Sequence, residues 1–122
     1  MNEFEKLKIE GGKNIAIKVP SHIYDKTKEF YRDILKLKVI KENLSEIQFK
    51  FGEMCLYIDE VEQLSQAEVW LEIQVNSVEL ASKYFDEKNI TRCDKIEKLP
   101  GNFQGFWILN PANIVHLVSQ NG

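Results

Sequence analysis

Any chemistry in this chain must come from a short set of side chains. There are two histidines, His22 and His116, and two cysteines, Cys55 and Cys93. An imidazole titrates near neutrality, so His116 could be a general acid or base, a ligand-binding group or a lone metal ligand. A satisfied structural histidine is the competing reading. His22 reads as a surface residue. Glu72 lies in the apolar run Val69-Trp-Leu-Glu-Ile-Gln-Val. There a carboxylate could act as a base, as a metal ligand beside His116, or as the ion-pair partner of Lys18. Trp70 could stack on a flat or cationic ligand, or plug a core. The cysteines have no neighbouring base and no CxxC spacing, so they read as core thiols.

The elements that must position these groups follow from periodicity. Residues 14–19 alternate, with Ile15, Ile17 and Val19 on one face and Asn14, Ala16 and Lys18 on the other. Pro20 ends that strand. Tyr24, Thr27, Tyr31, Ile34 and Leu35 then recur at helical spacing and predict a helix over about 24–35, with Asp25 in its first turn. Strands are predicted over 37–41, 46–51 and 54–59, the last with Cys55, Tyr57 and Asp59 on one face. After a polar connection the pattern restarts. A strand over 69–75 puts Trp70, Glu72 and Gln74 on one face. Ser77 is a candidate cap for a second helix that ends near Asn89. Short strands over 90–93, 106–109 and 114–119 complete the pattern, with a long loop over 94–105.

The order is βαβββ twice. Residues 14–19 align with 70–75 at an offset of 56, and the closing strands align at 59, which sets Cys55-Leu-Tyr-Ile over Ile114-Val-His-Leu. The expected fold is α+β: two tandem modules, about 13–59 and 68–120, in one domain spanning 1–122. Their curled, mixed sheet would surround a cavity, with helices outside. The faces opposite the helices carry Asn14, Lys18, Tyr57, Trp70, Glu72, Gln74 and His116, and these are the candidate ligand-binding residues. Aromatic rings with a few polar groups suit a small-molecule pocket.

Composition narrows the partners. Sixteen Lys and Arg against nineteen Asp and Glu give a net charge of −3. The lysines are scattered, so nucleic acid and anionic membranes are not expected partners. With 43% hydrophobic and 29% charged residues the chain is globular. No stretch approaches the roughly 20 apolar residues of a membrane span. The first residues lack the apolar core of a signal peptide, so a cytoplasmic location is expected.

Three segments together resemble the vicinal oxygen chelate superfamily. They are Ile15-Ala-Ile-Lys-Val, Glu29-Phe-Tyr-Arg-Asp-Ile-Leu, and Phe106-Trp-Ile-Leu-Asn-Pro with Ile114-Val-His-Leu-Val. That group includes glyoxalase I, bleomycin-resistance proteins, fosfomycin-modifying enzymes and extradiol dioxygenases. The resemblance implies a half-barrel from each module, often a divalent metal in the cavity, and commonly a homodimer. Carried over by position, the four metal places are Asn14, Tyr57, Trp70 and His116. Only His116 is a good ligand, since an indole N–H has no lone pair to give and such sites need about three His, Cys or carboxylate donors. The resemblance therefore implies a small-molecule-binding protein of the glyoxalase and bleomycin-resistance type, with no metal or other cofactor expected. The alternative is a metal-dependent lyase, isomerase or dioxygenase with an atypical ligand set around His116 and Glu72.

Overall fold

The computed structural model describes residues 3–121, leaving Met1, Asn2 and Gly122 outside the description. The elements are β1 (Ile9–Gly11), β2 (Asn14–Val19), α1 (Ser21–Glu29), β3 (Val39–Glu42), β4 (Glu46–Phe51), β5 (Met54–Glu60), β6 (Glu68–Val75), α2 (Val78–Glu87), β7 (Gly105–Leu109) and β8 (Val115–Gln120). The fold is α+β with mixed strand pairing. Two compact units are formed: Lys13–Trp70, and Leu71–Gly122 joined by Met1–Gly12.

The unit Lys13–Trp70 has the predicted βαβββ order. β2 pairs parallel with β5, β5 antiparallel with β4, and β4 antiparallel with β3. The first residues of β6 add on the other side of β2, through Ala16↔Trp70 and Lys18↔Glu68. Alternation sends Val19, Ile47, Phe49, Leu56 and Ile58 to one face, where Tyr24 of α1 joins them in the core. Each such fully buried side chain stabilises by about 1.5–3 kcal/mol. The helix differs from expectation at both ends. It starts at Ser21, directly after Pro20, so its first turn holds no acidic residue. It ends in a π-turn over Phe30–Ile34, closed by the Leu35 N–H donating to the Phe30 carbonyl at 2.9 Å. Lys36 then turns the chain at φ 57°, a left-handed position that glycine occupies more cheaply.

In the other unit β6 pairs parallel with β8, and β8 antiparallel with β7. α2 has the predicted cap, its Leu80 N–H donating to Ser77 Oγ at 3.1 Å. Ala81 and Phe85 of that helix pack with Val75, Phe106, Ile108 and Val118. Asn89 carries the positive φ of 60° expected after the helix. Two sequence expectations fail here. The strand over 90–93 is reduced to a single bridge, Arg92↔Ile108, flanked by the Cys93 N–H donating to the Trp107 carbonyl and the Leu109 N–H to the Thr91 carbonyl, each at 3.0 Å; the next β7 donor, the Trp107 N–H, goes to the Asp94 side chain instead. An unpredicted strand, β1, pairs antiparallel with Ile73–Val75 of β6. Its sequence, Ile-Glu-Gly, is too short to show a period.

Candidate functional site

In the unit Lys13–Trp70 the ladder registers fix which side chains stand together on the face opposite α1. One row crosses four strands as Glu46, Asp59, Lys18 and Glu68. The next row is Gln48, Tyr57, Ala16 and Trp70, and the third is Lys50, Cys55 and Asn14. Lys18 is only 4% exposed, which a bare ammonium could not tolerate. Asp59 Oδ2 accepts from its Nζ at 2.7 Å, and the Trp70 ring lies 4.4 Å away as a cation–π partner. The Trp70 Nε1–H donates to Glu68 Oε1 at 2.9 Å. The Trp70 indole, itself buried, thus sits against a buried ion pair. Asn14, Gln48, Tyr57 and Asp59 are half-buried. Gln48 Nε2 donates to Glu46 at 2.7 Å, and the Cys55 thiol donates to Gln48 Oε1 at 3.8 Å. Burial, partly offset by a hydrogen bond with Tyr57, pushes the Cys55 thiol pKa up; burial also raises that of Cys93. Neither is a ready nucleophile.

In the other unit the face opposite α2 carries Glu72 and Gln74 of β6, Leu117 and Ser119 of β8, and Gly105 and Trp107 of β7. Ser119, which is buried, donates through Oγ to Glu72 Oε2 at 3.3 Å. Gly12 runs against the Glu72 side chain: a Cβ there would meet Glu72 Cγ at 2.6 Å and Cβ at 2.8 Å. Phe103 lies over Gly105 in the same way, its ring 2.6 Å from where a Cβ would stand. Of the three aromatics flanking the long loop, Phe103 and Trp107 therefore belong to this face, while Phe106 belongs to the core. The Trp107 indole N–H donates to the Glu97 carbonyl at 2.9 Å and so ties the loop to β7.

His116 is not on that face. Its ladder partners are Leu71 and Ile108, and it alternates with Val118 of the core, so it points to the side that α2 covers. Its Nδ1 lies 3.0 Å from the Ile114 carbonyl. The placement expected from sequence was one residue out of register. Ala16 pairs with Tyr57, and the equivalent pair is Glu72 with Leu117, an offset of 60 for the closing strand rather than 59. A one-residue slip exchanges the faces of every side chain in a strand. The fourth metal place therefore falls on Leu117, and Glu72 and His116 stand on opposite faces of their ladder. The other candidates, Asn14, Lys18, Tyr57, Trp70, Glu72 and Gln74, keep the faces expected of them. The sequence left Gly12 and Ser119 unmarked, placed Asp59 on one face with Cys55 and Tyr57 without a role, and left open which of Phe103, Phe106 and Trp107 face inward.

The residues present do not suit the metal that this kind of fold often holds. Among the described residues no three His, Cys, Asp or Glu side chains come together as a ligand set. Asn14, Tyr57, Trp70 and Leu117 offer no strong donor between them.

With this geometry the chain has the vicinal oxygen chelate fold. It is similar in structure to an Mn(II)-bound glyoxalase from Novosphingobium aromaticivorans, with TM-score 0.66 and 16% identity over 91% of this chain and 38% of that one. It is likewise similar to homoprotocatechuate 2,3-dioxygenase from Arthrobacter globiformis, with TM-score 0.68 and 20% identity over 93% of this chain and 37% of the other. The chain thus spans little more than a third of those two proteins. A hypothetical protein from Bacillus halodurans C-125 matches it at full length, 97% against 96%, with TM-score 0.62 and 18% identity. No protein-family model and no curated protein matches the sequence. Among the described residues no helix is long and apolar enough to cross a membrane.

Proposed function

We propose that the chain is a small-molecule-binding protein whose ligand is held on the sheet faces opposite the helices, without the metal typical of its fold. One observation carries this reading: Lys18 is buried with Asp59 and Trp70 on a face that α1 does not cover. Two charges taken out of water cost several kcal/mol each before their attraction is counted. An apolar substitution would serve stability as well or better, so a buried pair on this face is better explained by recognition. Half-buried Asn14, Gln48 and Tyr57 around it supply the convergent polar groups that small-molecule sites use. Gln74 and Glu72 supply the same on the other unit's face. Structural likeness to proteins whose names denote a glyoxalase and a dioxygenase supports a small-molecule ligand in general.

The metal-dependent lyase, isomerase or dioxygenase reading needs His116 and Glu72 to share a face, and their ladder register sets them on opposite ones. A cytoplasmic location and a homodimer belong to the proposal as well; light scattering on the eluting peak tests the second. The decisive experiment for binding is a thermal-shift screen of the purified protein against a broad metabolite and antibiotic panel. A true ligand at a hundredfold excess over its Kd raises the melting temperature by about 8 °C, and Lys18→Met reduces that rise. A panel-wide lack of any shift sinks the proposal.

A further inference from the structure

We infer that segment 94–104 is a lid that competes with the ligand for the face opposite α2, with the Phe103 ring as its plug and the Trp107 indole as its latch. The inference rests on the binding reading above and adds the regulation of that site. Trp107 and Ser119 stand on this face by their ladder register, Trp107 opposite Leu117 and Ser119 opposite Gly105. α2 packs on the other side, yet the two are only 4% and 5% exposed. The segment supplies cover at both rows. Its Glu97 carbonyl accepts from the Trp107 indole N–H at 2.9 Å. Its Phe103 ring lies 2.6 Å from where a Gly105 Cβ would stand, in the row of Ser119. An apolar ring thus already occupies surface that a small-molecule ligand would use, and the two exclude each other.

How the segment is held makes it able to lift. Both ends are fixed. The Asp94 carboxylate accepts from the Trp107 backbone N–H at 3.1 Å and pairs with Arg92 at 2.8 Å. The Gln104 carbonyl accepts from the Gln120 N–H at 3.1 Å. Between these ends the backbone makes local turns: the Ile96 N–H donates to the Cys93 carbonyl and the Phe103 N–H to the Pro100 carbonyl, each at 2.9 Å. Every residue of the segment except Leu99 is exposed. Its larger apolar side chains, Ile96 and Phe103, keep more than a third of their surface in water, so little apolar burial holds it down. A stretch with few buried apolar contacts and no strand ladder opens locally while the rest of the fold stays intact. Lifting this one breaks the bond between Trp107 and Glu97 and withdraws the Phe103 ring.

The test is native-state proteolysis of the full chain. Lys95 and Lys98 are exposed within the segment, and trypsin cuts there at a rate set by the population of the lifted form. Trp107→Phe keeps a ring but removes the indole N–H, and Phe103→Ala removes the plug. Each should speed cutting at these lysines about fivefold, the factor that one net hydrogen bond carries, with cutting outside 94–104 unchanged. 2-Naphthol is the ring probe, its binding followed by calorimetry and by amide shifts in ¹⁵N-labelled protein. Because lid and probe compete, saturating 2-naphthol should speed cutting at Lys98 about fivefold, and Phe103→Ala should tighten its binding by a similar factor. If Trp107→Phe fails to fold, Phe103→Ala decides, since its ring is exposed. Cutting that neither variant accelerates, or that 2-naphthol slows, overturns the inference while leaving the binding reading in place. If the variants cut faster but 2-naphthol shifts no amide of Gln74, Leu117 or Ser119 even in Phe103→Ala, the competition is refuted, and the metabolite panel then judges the binding reading separately.

Discussion

Replacing Lys18 by Met is the sharpest test of how the Lys13–Trp70 unit is built. The side chains of Lys18 and Asp59 are 6% and 13% exposed and meet at 2.7 Å. Met keeps the length and apolar stem of Lys18 but removes its charge, which leaves the Asp59 carboxylate in a site that excludes most water. Breaking a buried pair from one side costs about 3–5 kcal/mol. The ammonium over Trp70 at 4.4 Å contributes up to about 2 kcal/mol of its own when desolvated, but Met regains part of that by packing its sulfur on the ring. The net expectation is a loss of about 3–4 kcal/mol, or roughly 10–15 °C in melting temperature for a chain of this size. Urea unfolding followed by far-UV circular dichroism and by tryptophan fluorescence measures it. The double variant Lys18→Met with Asp59→Leu should recover part of that loss, because the Asp59 charge is then no longer stranded. If Lys18→Met alone costs less than about 1 kcal/mol, or the double variant is additive, the pair is not a desolvated one. Recognition is then no longer the better explanation of a Lys18–Asp59 pair on this face.

Three further outcomes follow from single positions. Lys36→Gly removes the penalty of a side chain at φ 57° and should stabilise by about 1 kcal/mol, seen as a higher urea midpoint at unchanged slope. Tyr24 is 3% exposed, and no described residue bonds its hydroxyl; burial first, then Glu60, Asp59, Glu42 and Asp25, push its pKa up to about 12. The folded state therefore favours the protonated phenol. That stability is whole below pH 10 and is lost as pH rises through 12, so Tyr24→Phe should flatten the alkaline unfolding curve in this window. Cys55 and Cys93, both half-buried with raised pKa values, should react with iodoacetamide at pH 8 more slowly than free cysteine, and rates equal to it would count against their burial.

The fold was readable because period-two alternation survives in every long strand and because one βαβββ pattern occurs twice. Asn14, Lys18, Tyr57, Trp70, Glu72 and Gln74 were assigned to the right faces on that basis alone. His116 was not, and the cause is local. Val115, His116, Leu117 and Val118 form a run in which both parities hold an apolar residue, so nothing in the strand itself selects the face. Only the pairing with β6 does so, and sequence does not show pairing. The residues that hold the site were hidden for another reason. Gly12 and Gly105 matter for side chains they lack, and what fills that space comes from elsewhere in the chain, Glu72 in one case and Phe103 in the other. Asp59 was visible on its strand, but that its partner is Lys18 depends on the parallel register of β2 and β5. The π-turn at Phe30–Ile34 has no periodic signature, since the same apolar stripe reads as one uninterrupted helix.

The discontinuous unit has a consequence for how the chain is made. β1 is translated some 60 residues ahead of its partner Ile73–Val75. Leu7 packs on the core around Val75, and Phe4 stacks edge-on against Tyr84 at 5.2 Å, so this whole leading segment waits for residues not yet synthesised. The stretch from Lys13 to Trp70 contains all of its own ladders and emerges complete before that happens. During synthesis the Lys13–Trp70 unit should then settle first, with the earlier-made residues 4–11 among the last to settle. A substitution at Phe4 or Leu7 would be felt in the core around Val75 and Phe85, while the ion pair under Trp70 would already be in place.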